Sequence, residues 1–182
     1  MNNIQSAIFG GGCFWCTEAV FKRFKGVSNV TSGYAGGDND TATYEEVSSG
    51  NTDHAEVVRV EYDPAEIKYE TLLDVFFTSH DPTTLNKQGN DVGRQYRSVI
   101  FYSGQDQKIA AEEYIEKLNH DKVFGLPIVT EVKSAGKFYS AEGDHQNFYD
   151  QNREYPYCKF IINPKIAKIR EKYSSLLKEE EK

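Results

Sequence analysis

The stretch Ala7-Ile8-Phe9-Gly10-Gly11-Gly12-Cys13-Phe14-Trp15-Cys16 constrains this chain more than any other. A short apolar strand runs into three glycines, and a helical pattern begins directly after a cysteine. Strand, sharp turn and helix start are packed into a few residues, with the Cys13 sulfur at a helix N-terminus. Free backbone N–H groups and the positive end of the helix dipole favour a thiolate there. Cys16 follows one helical turn later, with two aromatic rings between the sulfurs.

Further along, helical and strand patterns alternate without the regular βα order of a doubly wound sheet. Residues 14–25 read as an amphipathic helix stopped by Gly26, and 28–35 and 55–62 as strands. Residues 68–79 read as a helix, 80–97 as a long polar loop and 98–102 as a strand. Residues 104–119 then read as a helix, 128–134 as a strand and 141–151 as a helix. A last helix from Pro164 turns Ile166, Ile169, Tyr173 and Leu176 inward. The pattern predicts an α+β fold: a single two-layer domain with a mixed, largely antiparallel sheet flanked by helices. No repeat or linker interrupts it. One catalytic domain over 1–182 is expected, with its core at about 6–170 and a charged end at 178–182 that frays.

Composition narrows the function classes. With 38% apolar and 13% aromatic residues, the chain is expected to fold rather than stay disordered. A net charge of −7, from 21 basic and 28 acidic side chains, offers no basic footprint for nucleic acid. No run approaches the ~20 apolar residues that span a bilayer, and the N-terminus lacks a signal-peptide pattern, so a cytoplasmic location is expected. Three cysteines do not make a secreted disulfide framework, and a CxxC in a reducing compartment points to catalysis or metal binding. The cysteine and histidine spacing is poor for a metal site.

Several residues carry candidate chemistry. Cys13 reads as a functional thiol rather than a buried small hydrophobe. Cys16 is either a core residue or the partner that closes a Cys13–Cys16 disulfide. Strand alternation puts Glu56 on the same face as Val58, Val60 and Tyr62. A carboxyl turned inward gains affinity for its proton and becomes a candidate general acid. The competing reading leaves Glu56 solvated or ion-paired at the strand mouth. Tyr34, in a glycine-rich loop where the 28–35 strand ends, and Tyr96, in a polar loop, are phenols able to hold a ligand oxygen. Asp91 is a turn or pocket residue, and Phe14 and Trp15 are core or the wall of an apolar pocket.

These residues fall within an ordered run of motifs. Gly12-Cys13-Phe14-Trp15 resembles the active-site signature of the A-type peptide-methionine sulfoxide reductases. The likeness continues through Gly33-Tyr34-Ala35-Gly36-Gly37, Tyr44-Glu45-Glu46-Val47, His54-Ala55-Glu56-Val57 and His80-Asp81-Pro82-Thr83. It goes on through Gln88-Gly89-Asn90-Asp91-Val92-Gly93, Gln95-Tyr96-Arg97-Ser98, Ala141-Glu142 and His145-Gln146, spanning roughly residues 6–170.

The resemblance implies reduction of the S epimer of methionine sulfoxide, free or in proteins. It makes Cys13 the nucleophile, Glu56 the acid, Tyr34 and Tyr96 the phenols on the sulfoxide oxygen, and Asp91 a polar pocket residue. Phe14 and Trp15 become the wall for the substrate methyl. A sulfenic acid on Cys13 would then be resolved to a disulfide and re-reduced by thioredoxin, or by dithiothreitol in vitro. No bound cofactor or metal is required, and a monomer is assumed. The family often has glycine where this chain has Cys16. Two resolving thiols are therefore open: Cys16, which is preferred for its proximity, and Cys158, which requires the tail to fold over the site. The competing functions are a thioredoxin-type thiol–disulfide oxidoreductase and a non-catalytic module that binds oxidised methionine.

Overall fold

A computed structural model describes residues 3–182. The chain forms β1 (Gln5–Gly11), α1 (Phe14–Phe21), β2 (Val27–Ala35), α2 (Tyr44–Ser48), β3 (Ala55–Tyr62) and α3 (Tyr69–Ser79). A small hairpin of β4 (Lys87–Gln88) and β5 (Asp91–Val92) follows, then β6 (Ser98–Tyr102), α4 (Gln105–His120), β7 (Glu131–Ser134) and β8 (Phe138–Ser140). The chain finishes with α5 (Phe148–Gln151) and α6 (Asn163–Tyr173). The main sheet has the order β7-β6-β1-β3-β2-β8. Its pairings are antiparallel except β6 with β7, which makes the expected mixed, largely antiparallel sheet.

The sheet must curl. β7 and β8 are its opposite edges, yet only residues 135–137 join them. Six flat strands would hold the edges about 24 Å apart, and that link reaches no more than about 14 Å. Inside the curl, Ile8, Ala35, Ala55, Val57, Val99 and Phe101 form a small apolar cluster. The other face packs on the helices. There Val58, Val60 and Tyr62 of β3 join Phe14, Val20 and Phe21 of α1 and Leu72, Leu73 and Phe76 of α3 in the main core. Alternation along β3 thus turns Glu56 toward the helices.

Several local expectations give way to tertiary contacts. The first helix ends at Phe21, because Phe24 leaves it to bridge Leu177 near the C-terminus. It is buried nearly all round rather than amphipathic. Gly33 and Tyr34 lie inside β2, not in a loop. A Cβ on Gly33 would stand 2.3 Å from the Tyr139 carbonyl oxygen, so glycine lets β8 close on this strand. Residues 141–151 are not one helix: a turn at Gly143–His145 precedes Asn147, whose φ is +53°, and the four-residue α5. Side-chain ties hold the turn open. Gln146 pairs with both backbone groups of Ser32 at 3.0 and 2.8 Å, and Glu18 accepts the Asn147 N–H at 2.9 Å.

The charged end packs against the domain. Glu181 pairs at 3.0 Å with Arg23, which is 1% exposed, and Asp150 meets the same guanidinium at 3.2 Å. Leu177, not Leu176, is the buried leucine there. Leu176 faces solvent because the helix ends at Tyr173 and the chain turns. No described helix is long and apolar enough to cross a membrane.

Candidate active site

Gly12, at φ +94°, turns the chain out of β1, and Cys13 becomes the N-cap of α1. Cys13 is buried, with 9% of its surface exposed. The Phe14 N–H, one of the free donors of the helix start, is taken by Glu56 Oε2 at 3.0 Å. That bond and the helix dipole favour a carboxylate. Burial outweighs them: Glu56 is 2% exposed, and its carboxyl is pushed up to about 8. Burial thus favours the protonated carboxyl near neutrality, on the inward face that strand alternation gives Glu56.

The thiols behave differently from the expectation at the helix end. The Trp15 N–H does favour a Cys13 thiolate. Burial opposes it and prevails, and the neighbouring Cys16 and Glu56 add to burial, so the Cys13 thiol is pushed up. Cys16 is drawn down to about 7, chiefly because it accepts the Cys13 hydrogen bond. Of the two thiols, Cys16 is the more readily ionised. The first turn is tight, with the Cys16 N–H 3.1 Å from the Cys13 carbonyl. All three cysteines are free.

Aromatic side chains enclose the pair. Phe14 lies 5.7 Å from the Tyr34 ring and 5.5 Å from His145. Trp15 stacks on Phe148 at 3.7 Å and donates its indole N–H to His145 Nδ1 at 3.2 Å. The Tyr34 hydroxyl donates to Glu142 at 2.8 Å, and the same carboxylate accepts the Tyr44 N–H at 2.8 Å. The Tyr96 phenol is raised by burial and by the charges of Glu56 and Cys13. Asp91, in the small hairpin, accepts the Tyr157 hydroxyl at 2.6 Å, and that hydroxyl lies 3.6 Å from the Cys16 sulfur. Cys158 follows it, fully buried, in a π-helical turn at Cys158–Ile162. The late segment thus already covers this side of α1.

The structure gathers Cys13, Phe14, Trp15, Cys16, Tyr34, Glu56, Asp91 and Tyr96 in one region, with Cys158 buried behind. Sequence reasoning assigned no role to Tyr44, Glu142, His145, Phe148 or Tyr157. Tyr44, Glu142 and His145 lie within the quoted motifs. Phe148 and Tyr157 left no signal beyond being aromatic. His54 is structural, its Nε2 2.8 Å from the Asp38 carbonyl. Among the described residues, no group of three or more His, Cys, Asp or Glu could hold a metal ion.

A buried acid beside paired free thiols, inside an aromatic enclosure on an α+β scaffold, defines a thiol-based oxidoreductase. A profile of the family described as peptide methionine sulfoxide reductase matches residues 5–177. The chain belongs to that family. It is 53% identical over 174 residues to "Peptide methionine sulfoxide reductase MsrA" of Chromobacterium violaceum, covering 96% of this chain and 99% of that protein. Among solved structures it is similar to Saccharomyces cerevisiae Mxr1 in reduced form, with a TM-score of 0.78 and 33% identity over 85% of this chain and 89% of that one. Mxr1 in complex with Trx2 is also similar, with a TM-score of 0.55 and 25% identity over 80% of this chain and 84% of that one.

Proposed function

We propose that this chain, as a single catalytic domain, reduces the S epimer of methionine sulfoxide, free or in proteins, through Cys13. The observation that carries the reading is Glu56: a carboxyl buried against the helix start, beside the thiols and protonated at neutral pH. Thiol–disulfide exchange alone needs no such acid. A sulfoxide does, because its oxygen must be protonated to leave sulfur.

Cys13 passes its proton along its hydrogen bond to Cys16 and attacks the sulfoxide sulfur. Glu56 gives its proton to the oxygen. The oxygen passes from the methionine sulfur to the Cys13 sulfur as the old S–O bond and the transient Cys13–methionine S–S bond break, so methionine departs reduced and Cys13 carries the oxygen as a sulfenic acid. Tyr96 polarises the oxygen, joined by Tyr34 once its hydroxyl turns from Glu142. Phe14 and Trp15 receive the methyl group, and Asp91 holds Tyr157 at the rim. Cys16, one helical turn from Cys13, gives up the proton it took and attacks the sulfenic sulfur, so that the S–S bond forms as the S–O bond breaks and the oxygen leaves with that proton as water. The Mxr1 complex with Trx2 supports thioredoxin as the reductant that restores both thiols. The odd cysteine count and the lone CxxC accord with action in the cytoplasm. The test is turnover of separated S and R epimers of a methionine sulfoxide peptide with dithiothreitol. Reduction of the S epimer alone is expected. Folded protein that turns over neither epimer would refute the reading.

A further inference from the structure

A narrow junction lies where β1, α1, α3 and α6 meet, lined by Gly11, Cys16, Val20, Phe76, Ser79 and Lys165. No water fits in it. Charge therefore acts across it with little screening. Lys165 is half-buried and also lines an outer cleft of about 540 Å³ beside Ser79 and His80. The other lysines on this face of α6 are engaged: Lys168 donates to the Thr78 carbonyl at 2.9 Å, and Lys172 pairs with Asp74 at 3.2 Å. Lys165 makes no hydrogen bond or ion pair among the described residues.

The other groups facing Cys16 are Cys13 on its own helix, Glu56 on β3, Asp91 on the hairpin, and Tyr157 and Cys158 before α6. None of them is a cation. Asp91 pushes the Cys16 thiol up, whereas Lys165 pulls it down. The same ammonium depresses the charged form of His80 across the cleft.

We propose that Lys165 is a positioning residue that holds the Cys16 sulfur as a thiolate and thereby sets the rate of disulfide closure. This rests on the reading of Cys16 as the resolving thiol. In that step the Cys16 thiolate attacks the Cys13 sulfenic sulfur. The S–O bond breaks as the S–S bond forms, the oxygen takes a proton and leaves as water, Cys16 is oxidised and the Cys13 sulfur is reduced.

The test uses protein carrying Cys13→Ser and Cys158→Ser, in which Cys16 is the only thiol, and follows iodoacetamide alkylation against pH. Adding Lys165→Met is expected to raise the midpoint by about one pH unit, and Lys165→Arg to restore it. In enzyme with all three cysteines, Lys165→Met is expected to slow disulfide closure at pH 7 about tenfold more than it slows methionine release. A midpoint unmoved by Lys165→Met overturns the proposal, because a merely structural lysine would leave the profile in place. A moved midpoint with Cys13 linked to Cys158 overturns instead the resolving role of Cys16.

Discussion

Replacing Glu56 by glutamine separates the chemistry of this site from its stability. The amide keeps an oxygen to accept the Phe14 N–H at 3.0 Å, and the shape of the side chain is unchanged. It cannot deliver a proton, so kcat should fall by about 10²–10⁴. Stability should move the other way. In the folded enzyme the carboxyl keeps its proton up to about 8, against an ordinary 4.5. Between those values the folded state holds a proton that the unfolded chain has released. The stabilisation is full below about 4.5 and is lost as pH rises through about 8. At about 1.4 kcal/mol per pH unit the whole window corresponds to at most about 5 kcal/mol. The amide of the variant does not titrate and has no such dependence. Urea unfolding of both proteins from pH 5 to 8 measures it, since other titrating groups cancel in the difference. The wild type should lose ground to Glu56→Gln steadily across this range. Parallel curves would mean that Glu56 is ionised in the folded protein, and the general-acid argument would fail.

Four further outcomes follow from the same geometry. Without reductant, Cys16→Ser should release one methionine per enzyme and form no disulfide, whereas Cys158→Ser should still link Cys13 to Cys16; peptide mass spectrometry of a Cys13–Cys158 bond in the wild type would contradict this. Phe148→Ala removes the ring stacked at 3.7 Å on Trp15 and should raise KM about three- to tenfold with a smaller change in kcat. Tyr96→Phe should lower kcat about 100-fold through loss of one donor to the developing charge, a larger loss than Tyr34→Phe, whose hydroxyl is already committed to Glu142. Deleting residues 178–182 removes Glu181 from the buried Arg23 and should cost about 2 kcal/mol, read as a fall in Tm of about 4–8 °C; an unchanged Tm would mean that the end contributes nothing.

Local pattern determined a good deal by itself. The apolar run, three glycines and Cys13 specified a strand, a turn and a helix start, because each depends on only a few neighbouring residues. Alternation along β3 set the face of Glu56, because its period of two is intrinsic to a strand. The tertiary structure decided what depends on distant partners. Cys13 keeps its proton because residues from several elements bury it and Glu56 lies beside it, a balance that the helix dipole alone cannot reveal. The segment at 141–151 breaks from a helix because Ser32 and Glu18, more than a hundred residues earlier, claim its polar groups. The early end of α1 and the docking of the C-terminal segment arise together, since Phe24 meets Leu177 and Arg23 meets Glu181. Periodicity records which face of an element is apolar. Which distant residue satisfies a buried charge or proton is decided only when the chain closes on itself.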